Sequence, residues 1–165
     1  MRRILLTTLL AVSFVSSGKA QQEMTGDKAE QIKQEILKLE HDKVATMLQS
    51  GSAFSEWRDR HDADEMVNTD ANGVTTTKAE NVARLRARDS GGGDMLKLVS
   101  MKQYGHVVRV YADGNVAVCT MRADPVYNKK GETISHQWVD LDIWAKFPDG
   151  AWRRIAHSVH NAPKQ

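Results

Sequence analysis

The chain of 165 residues has one cysteine, Cys119, so no internal disulfide can form. Cys119 closes the strand-like run Val116-Ala117-Val118-Cys119, where a free thiol behaves as a small buried apolar side chain. No basic neighbour is visible in sequence to make it reactive. Cys/His spacing of the structural zinc kind is missing too, and His157 and His160, three apart on a strand, fall on opposite faces and cannot chelate one ion. Gly91-Gly92-Gly93 lacks a following Lys-Ser/Thr, so it reads as a link and not a phosphate cradle. Neither a metal nor a cofactor is expected. No internal repeat or low-complexity tract is present.

A basic surface is also lacking once the first residues are set aside. Arg2 and Arg3 precede an apolar run, Ile4 to Val15, too short to span a bilayer, and Gly18-Lys19-Ala20 supplies the small residues a signal peptidase reads. Residues 1–20 are therefore expected to be a secretory signal cleaved after Ala20, leaving 21–165 as one domain, exported to the periplasm or the medium. No Cys stands near that site to take a lipid. The formal charge of +2 falls to about −1 with Arg2, Arg3 and Lys19 removed, so nothing draws the chain to nucleic acid. No later segment is apolar enough to span a membrane.

Helices come first. Ala29, Ile32, Ile36, Leu39 and Met47 fall in one arc at helical spacing, predicting a helix over 27–49; Lys43 sits mid-arc and Glu40 lies inside it. Ser50-Gly51-Ser52 ends it and caps a second helix carrying Phe54 and Trp57. Met66 to Thr69 is extended and Asp70-Ala71-Asn72-Gly73 a turn. Thr77-Lys78-Ala79-Glu80 has the capping-box pattern that opens a third helix. Beyond Met95 the pattern is sheet, with strands predicted over 95–104, 106–112, 115–124, 133–147 and 151–160, and a tight turn at Asp149-Gly150. In the longest, Val139, Leu141, Ile143, Ala145 and Phe147 alternate with Trp138, Asp140, Asp142, Trp144 and Lys146. The aliphatic set is expected to face the helices. The predicted class is α+β: three N-terminal helices on a curved antiparallel sheet forming a cone.

Leu39-Glu40, Ala63-Asp64-Glu65-Met66, Asp70, Gly73, Lys78-Ala79-Glu80, Arg109 to Asp113, Ile143-Trp144 and Gly150-Ala151-Trp152 occur in the order and spacing of a known group. Over residues 27 to 160 the chain resembles the nuclear transport factor 2-like superfamily, and within it the SnoaL-like proteins and domain of unknown function 4440. The resemblance implies a cone closed by helices around an apolar pocket, in a superfamily that includes ketosteroid isomerases, polyketide cyclases and dehydratases. Fold does not settle function there.

Matched to the isomerase pattern, Asp70 falls on the general base. The two hydrogen-bond donors fall on Lys43 or Val44 and on Ile143, so neither donor is kept. Asp70 beside Asn-Gly has a second role open to it, that of turn former. Lys43 either pairs with Glu40 at the cone's edge or lies in the pocket, binding an acidic ligand or serving as a low-pKa amine. Glu40, Lys43, Trp57 and Ile143 are the expected pocket residues. The indoles of Trp138 and Trp144 require cover, by a homodimer through that sheet face or by the tip Tyr127 to Ile134.

Three functions remain open. The first is an exported binding or accessory domain for a small apolar or amphipathic organic ligand, with no complete catalytic constellation and a cavity of several hundred cubic ångströms. The second is a lyase, isomerase or cyclase acting on a carbonyl compound through Asp70. The third is a structural envelope subunit with a filled cone.

Overall fold

The computed structural model describes residues 22–90 and 97–162. The expected leader and the Gly91-Gly92-Gly93 link lie outside them. In chain order the elements are α1 (Asp27–Gln49), α2 (Gly51–His61), β1 (Asp62–Thr69), β2 (Thr75–Thr77), α3 (Lys78–Ser90), β3 (Lys97–Tyr111), a 3-10 turn, β4 (Val116–Lys129), β5 (Glu132–Ser135), β6 (Trp138–Lys146) and β7 (Trp152–Asn161).

Local signals account for the helix ends. Ser50 Oγ accepts the Ala53 N–H at 3.0 Å and caps α2. Before α3 the capping box closes both ways, from Thr77 N–H to Glu80 Oε2 at 2.7 Å and from Glu80 N–H to Thr77 Oγ1 at 3.2 Å. Helix α1 buries Ala29, Ile32, Ile36, Glu40 and Lys43, one stripe spaced by three and four residues. That stripe lies against β3 and β4, while α2 packs on α1, on α3 and against β7. The core cluster joins Ala29, Ile32 and Ile36 to Trp57, Val110, Ala117, Cys119, Met121, Trp144 and Trp152.

The strands run β2-β1-β7-β6-β4-β3, with β5 extending beside β4. Three helices on a curved, unclosed sheet match the expected cone. The sheet is mixed, however, because β1 pairs with β7 in parallel. Everything between those two strands forms the connection, long enough to re-enter in the same direction. Two predicted boundaries also move. The strands expected over 95–104 and 106–112 are one, β3, bent where Gly105 takes φ +63° and the register slips between Tyr104 and Val107. The strand expected over 133–147 is interrupted at His136-Gln137 opposite Pro125, which has no N–H to offer the ladder; pairing resumes in the same register beyond it.

The largest correction concerns β6. Asp140, Asp142 and Trp144 are buried, and the aliphatic positions 139, 141, 143 and 145 are half-buried on the opposite side. The face carrying Trp138 and Trp144 is interior: α1 and α2 cover Trp144, and the rings of Tyr127 and His136 lie against Trp138, 6.1 and 5.8 Å between ring centres. Trp144 is fully shielded and stands edge-on to Trp57, ring centres 6.1 Å apart. Period-two patterning identified the two faces correctly and chose the wrong one as inner, because Asp142 is neutralised by Lys43 and Arg154 from other elements.

Candidate functional site

Five elements bring charges to the centre. From α1, Lys43 Nζ donates to Asp142 Oδ2 on β6 at 2.6 Å and pairs with Glu40 one turn back. From β7, Arg154 donates through Nη1 to Asp142 Oδ1 and through Nε to Asp62 Oδ1 on β1, both at 3.0 Å. From α2, Arg58 Nε reaches Asp62 Oδ2 at 2.7 Å. Trp144 Nε1 donates to Glu40 Oε1 at 3.0 Å, and His157 Nδ1 on β7 lies 2.7 Å from Asp142 Oδ1.

This network is dry. Among the described residues the buried ionisable side chains are the carboxylates of Glu40, Asp62, Asp140 and Asp142 and the cations of Lys43, Arg58 and Arg154. Four acids against three bases leaves one negative charge too many for a medium of low dielectric. Protons make up the difference. Burial and the nearby Asp142 charge push Glu40 up to about 7, against the pull of Lys43 and Arg154. Burial likewise raises Asp140. Asp142 goes the other way: despite its burial, Lys43, Arg154 and His157 hold it well below the usual carboxylate range. Burial lowers Lys43, but Asp142 and Glu40 outweigh it and keep the amine charged above its ordinary value. That direction runs against reading Lys43 as a low-pKa amine.

In front of the network lies a cavity of about 190 Å³. Met47, Phe54, Leu85 and Met101 give it an apolar side, while Lys43, Arg58, Arg154, His157, Asp140, Gln103 and Trp138 give it a polar one. Gln103, Ala123 and Trp138 occupy one row across β3, β4 and β6. Both polar atoms of the Gln103 side chain, Nε1 of Trp138 and Oδ1 of Asp140 are buried with no hydrogen-bond partner.

No family model matches the sequence, and no curated protein does. Solved structures do match. An NTF2-like superfamily protein from Salmonella enterica superposes with a TM-score of 0.67 at 18% identity, over 82% of this chain and 94% of that one. An NTF2-like protein of unknown function in nutrient uptake from Rhodospirillum rubrum gives 0.64 at 23%, over 78% and 98%. A candidate ketosteroid isomerase from Parabacteroides distasonis gives 0.57 at 18%, over 77% and 85%. The chain has the nuclear transport factor 2-like fold. The narrower likeness to domain of unknown function 4440 rests on the sequence motifs alone.

Within this nuclear transport factor 2-like cone the residues singled out from sequence separate. Lys43 and Asp70 line the cavity. Asp70 Oδ1 accepts the N–H groups of Asn72 and Val74 at 2.9 and 3.0 Å, so its carboxylate is the cap of the β1–β2 turn. Glu40 lies behind Lys43, fully buried, and not at the cone's edge. Trp57 belongs to the core cluster. Ile143, expected in the pocket, is on the outer face of β6, one residue out of phase with the inward carboxylates. His157 is inside and His160 exposed. Missed from sequence were Arg58, Gln103, Asp140, Arg154 and His157 as cavity residues. One signal for them was present: a Glu and a Lys in the buried stripe of α1 require charged partners somewhere in the sheet.

Proposed function

We propose that the protein is a binding domain for a compact, amphipathic organic molecule. The observation that carries this is the cavity beside unpartnered polar atoms on Gln103, Trp138 and Asp140. Native folds leave few buried polar atoms without partners, since each costs about 1–3 kcal/mol. Three neighbouring residues carrying such atoms around one space indicate a molecule that supplies the partners. The volume favours a small occupant. A cavity of roughly 150 Å³ accepts benzene, and drug-sized ligands need about 300 Å³ or more. One ring with one or two polar substituents suits this site; a steroid-sized skeleton exceeds it.

The cavity counts against a purely structural subunit, which would have a filled interior. Asp70 as a base is disfavoured by the two backbone N–H groups its Oδ1 already accepts. Export of a chain beginning at Gln21 is part of the proposal, checked by the intact mass of the protein recovered from the exported fraction. The binding test is native mass spectrometry of that protein together with ligand-observed NMR against neutral one-ring compounds. Saturable binding that disappears in Leu85→Trp, which fills the cavity, is the expected result. No saturation by any such compound and no co-purifying small molecule would overturn the proposal.

A further inference from the structure

Three of the four buried carboxylates hold a cation at ion-pair distance. Lys43 serves Glu40 and Asp142, Arg154 serves Asp142 and Asp62, and Arg58 serves Asp62. Asp140 holds none. It is 4% exposed and lines the cavity, and its Oδ1 is shut off without a hydrogen-bond partner. No hydrogen bond or ion pair from the described residues reaches its Oδ2 either. A carboxylate in a dry site needs a proton or a counter-ion. The protein supplies cations to the other three, and the space beside the fourth is the cavity.

From this pairing we infer that the molecule held in the cavity is a compact organic cation, a protonated or substituted amine, whose charge is the counter-ion of Asp140. The inference rests on the binding function proposed above and names the class of ligand. It follows from which carboxylate is left over, and where.

The wall beside Asp140 suits a cation in a second way. Trp138, two residues earlier on the same face of β6, lines the cavity together with Tyr127 from β4. Their ring centres are 6.1 Å apart and their planes meet at 50°, so the two rings form a corner. His136 stacks on the indole at 5.8 Å and steadies it. Aromatic faces attract an ammonium, Trp most strongly. The apolar side of the cavity takes the rest of the molecule.

An acidic ligand is not served in the same way. Lys43, Arg58 and Arg154 stand on the polar side, but each already holds one or two carboxylates. Arg84 is exposed and gives Nη2 to Asn81 Oδ1 at 3.0 Å. Four buried acids against three buried bases are brought to balance by a cation and taken further from it by an anion. Burial raises Asp140 against the pull of Lys43, His157 and Arg154. A bound cation takes the place of the proton that burial favours.

Benzylamine, benzyl alcohol and benzoate test this, because they carry positive, zero and negative charge on one small frame at pH 7. Each is titrated into the intact protein and followed by ligand-observed NMR. Benzylamine is expected to bind at least about tenfold more tightly than benzyl alcohol, the scale of one hydrogen bond to a charged group, with benzoate the weakest. In Asp140→Asn that preference is expected to shrink to within about threefold, while benzyl alcohol binds within about threefold of its affinity for the unaltered protein. The comparison in the unaltered protein stands without any variant. Benzyl alcohol or benzoate bound as tightly as benzylamine overturns the inference and leaves the binding function standing, as does a preference that survives in Asp140→Asn. A co-purifying molecule that is neutral or acidic at pH 7 also overturns it. No saturation by any of the three, and no co-purifying small molecule, overturns both readings together.

Discussion

Replacing Lys43 by Met probes the centre of the molecule. Lys43 is 3% exposed, and its ammonium bridges two carboxylates that are fully shielded. Met keeps most of the stem volume, so little cavity forms and the change isolates charge. What remains is Asp142 with Arg154 and His157 on Oδ1 and nothing on Oδ2, and Glu40 with only the Trp144 indole. Breaking a buried ion pair by removing one partner costs about 3–5 kcal/mol. A domain of this size has about 5–15 kcal/mol in total, so Lys43→Met is expected to remove about a fifth or more and lower Tm by roughly 10–15 °C. Urea unfolding followed by tryptophan fluorescence reads it, since Trp57 and Trp144 lie within the affected core. The exposed Lys38–Asp42 pair, 3.0 Å long and 78% and 50% exposed, is the control; Lys38→Met is expected to change stability by less than about 0.5 kcal/mol. Adding Glu40→Gln to Lys43→Met is expected to recover part of the loss, because the most easily neutralised partner no longer needs a countercharge. A Lys43→Met protein within about 1 kcal/mol of the unaltered one would refute the claim that the network is dry and obligatory.

Other expectations follow from the same structure. Glu40 has a folded pKa above its unfolded one, so its contribution is fully present below pH 4.5 and is lost as pH rises through about 7; Glu40→Gln is expected to flatten that part of the stability–pH curve. Asp142 is shifted the opposite way, and its contribution is lost as pH falls below the usual carboxylate range. Thr77→Ala is expected to cost about 1 kcal/mol through the capping box, measurable by thermal unfolding. Asp70→Asn is expected to leave stability nearly unchanged, because an amide oxygen can accept the same two N–H groups, whereas Asp70→Ala loses about 1 kcal/mol. Cys119 is fully buried and burial pushes its thiol up, so reaction with a disulfide reagent is expected only at the rate of unfolding.

Local rules read from the chain alone determined the three helices, both capping signals, the Asp149-Gly150 turn and the α+β layout, because each depends on residues within a few positions of one another. Even the two faces of β6 were legible from alternation. Which face points inward was not. Hydrophobicity favours Val139, Leu141 and Ile143 over Asp140 and Asp142, and that preference reverses only when Lys43 and Arg154 arrive from α1 and β7 to neutralise Asp142. Those partners lie as many as 99 residues apart, and no local pattern connects them. The same holds for His157: in the sequence it is one histidine among six, and only the pairing of β6 with β7 sets it against Asp142 at the wall of a cavity. Local propensity decided the elements; charge compensation across the fold decided which side of the sheet became the interior.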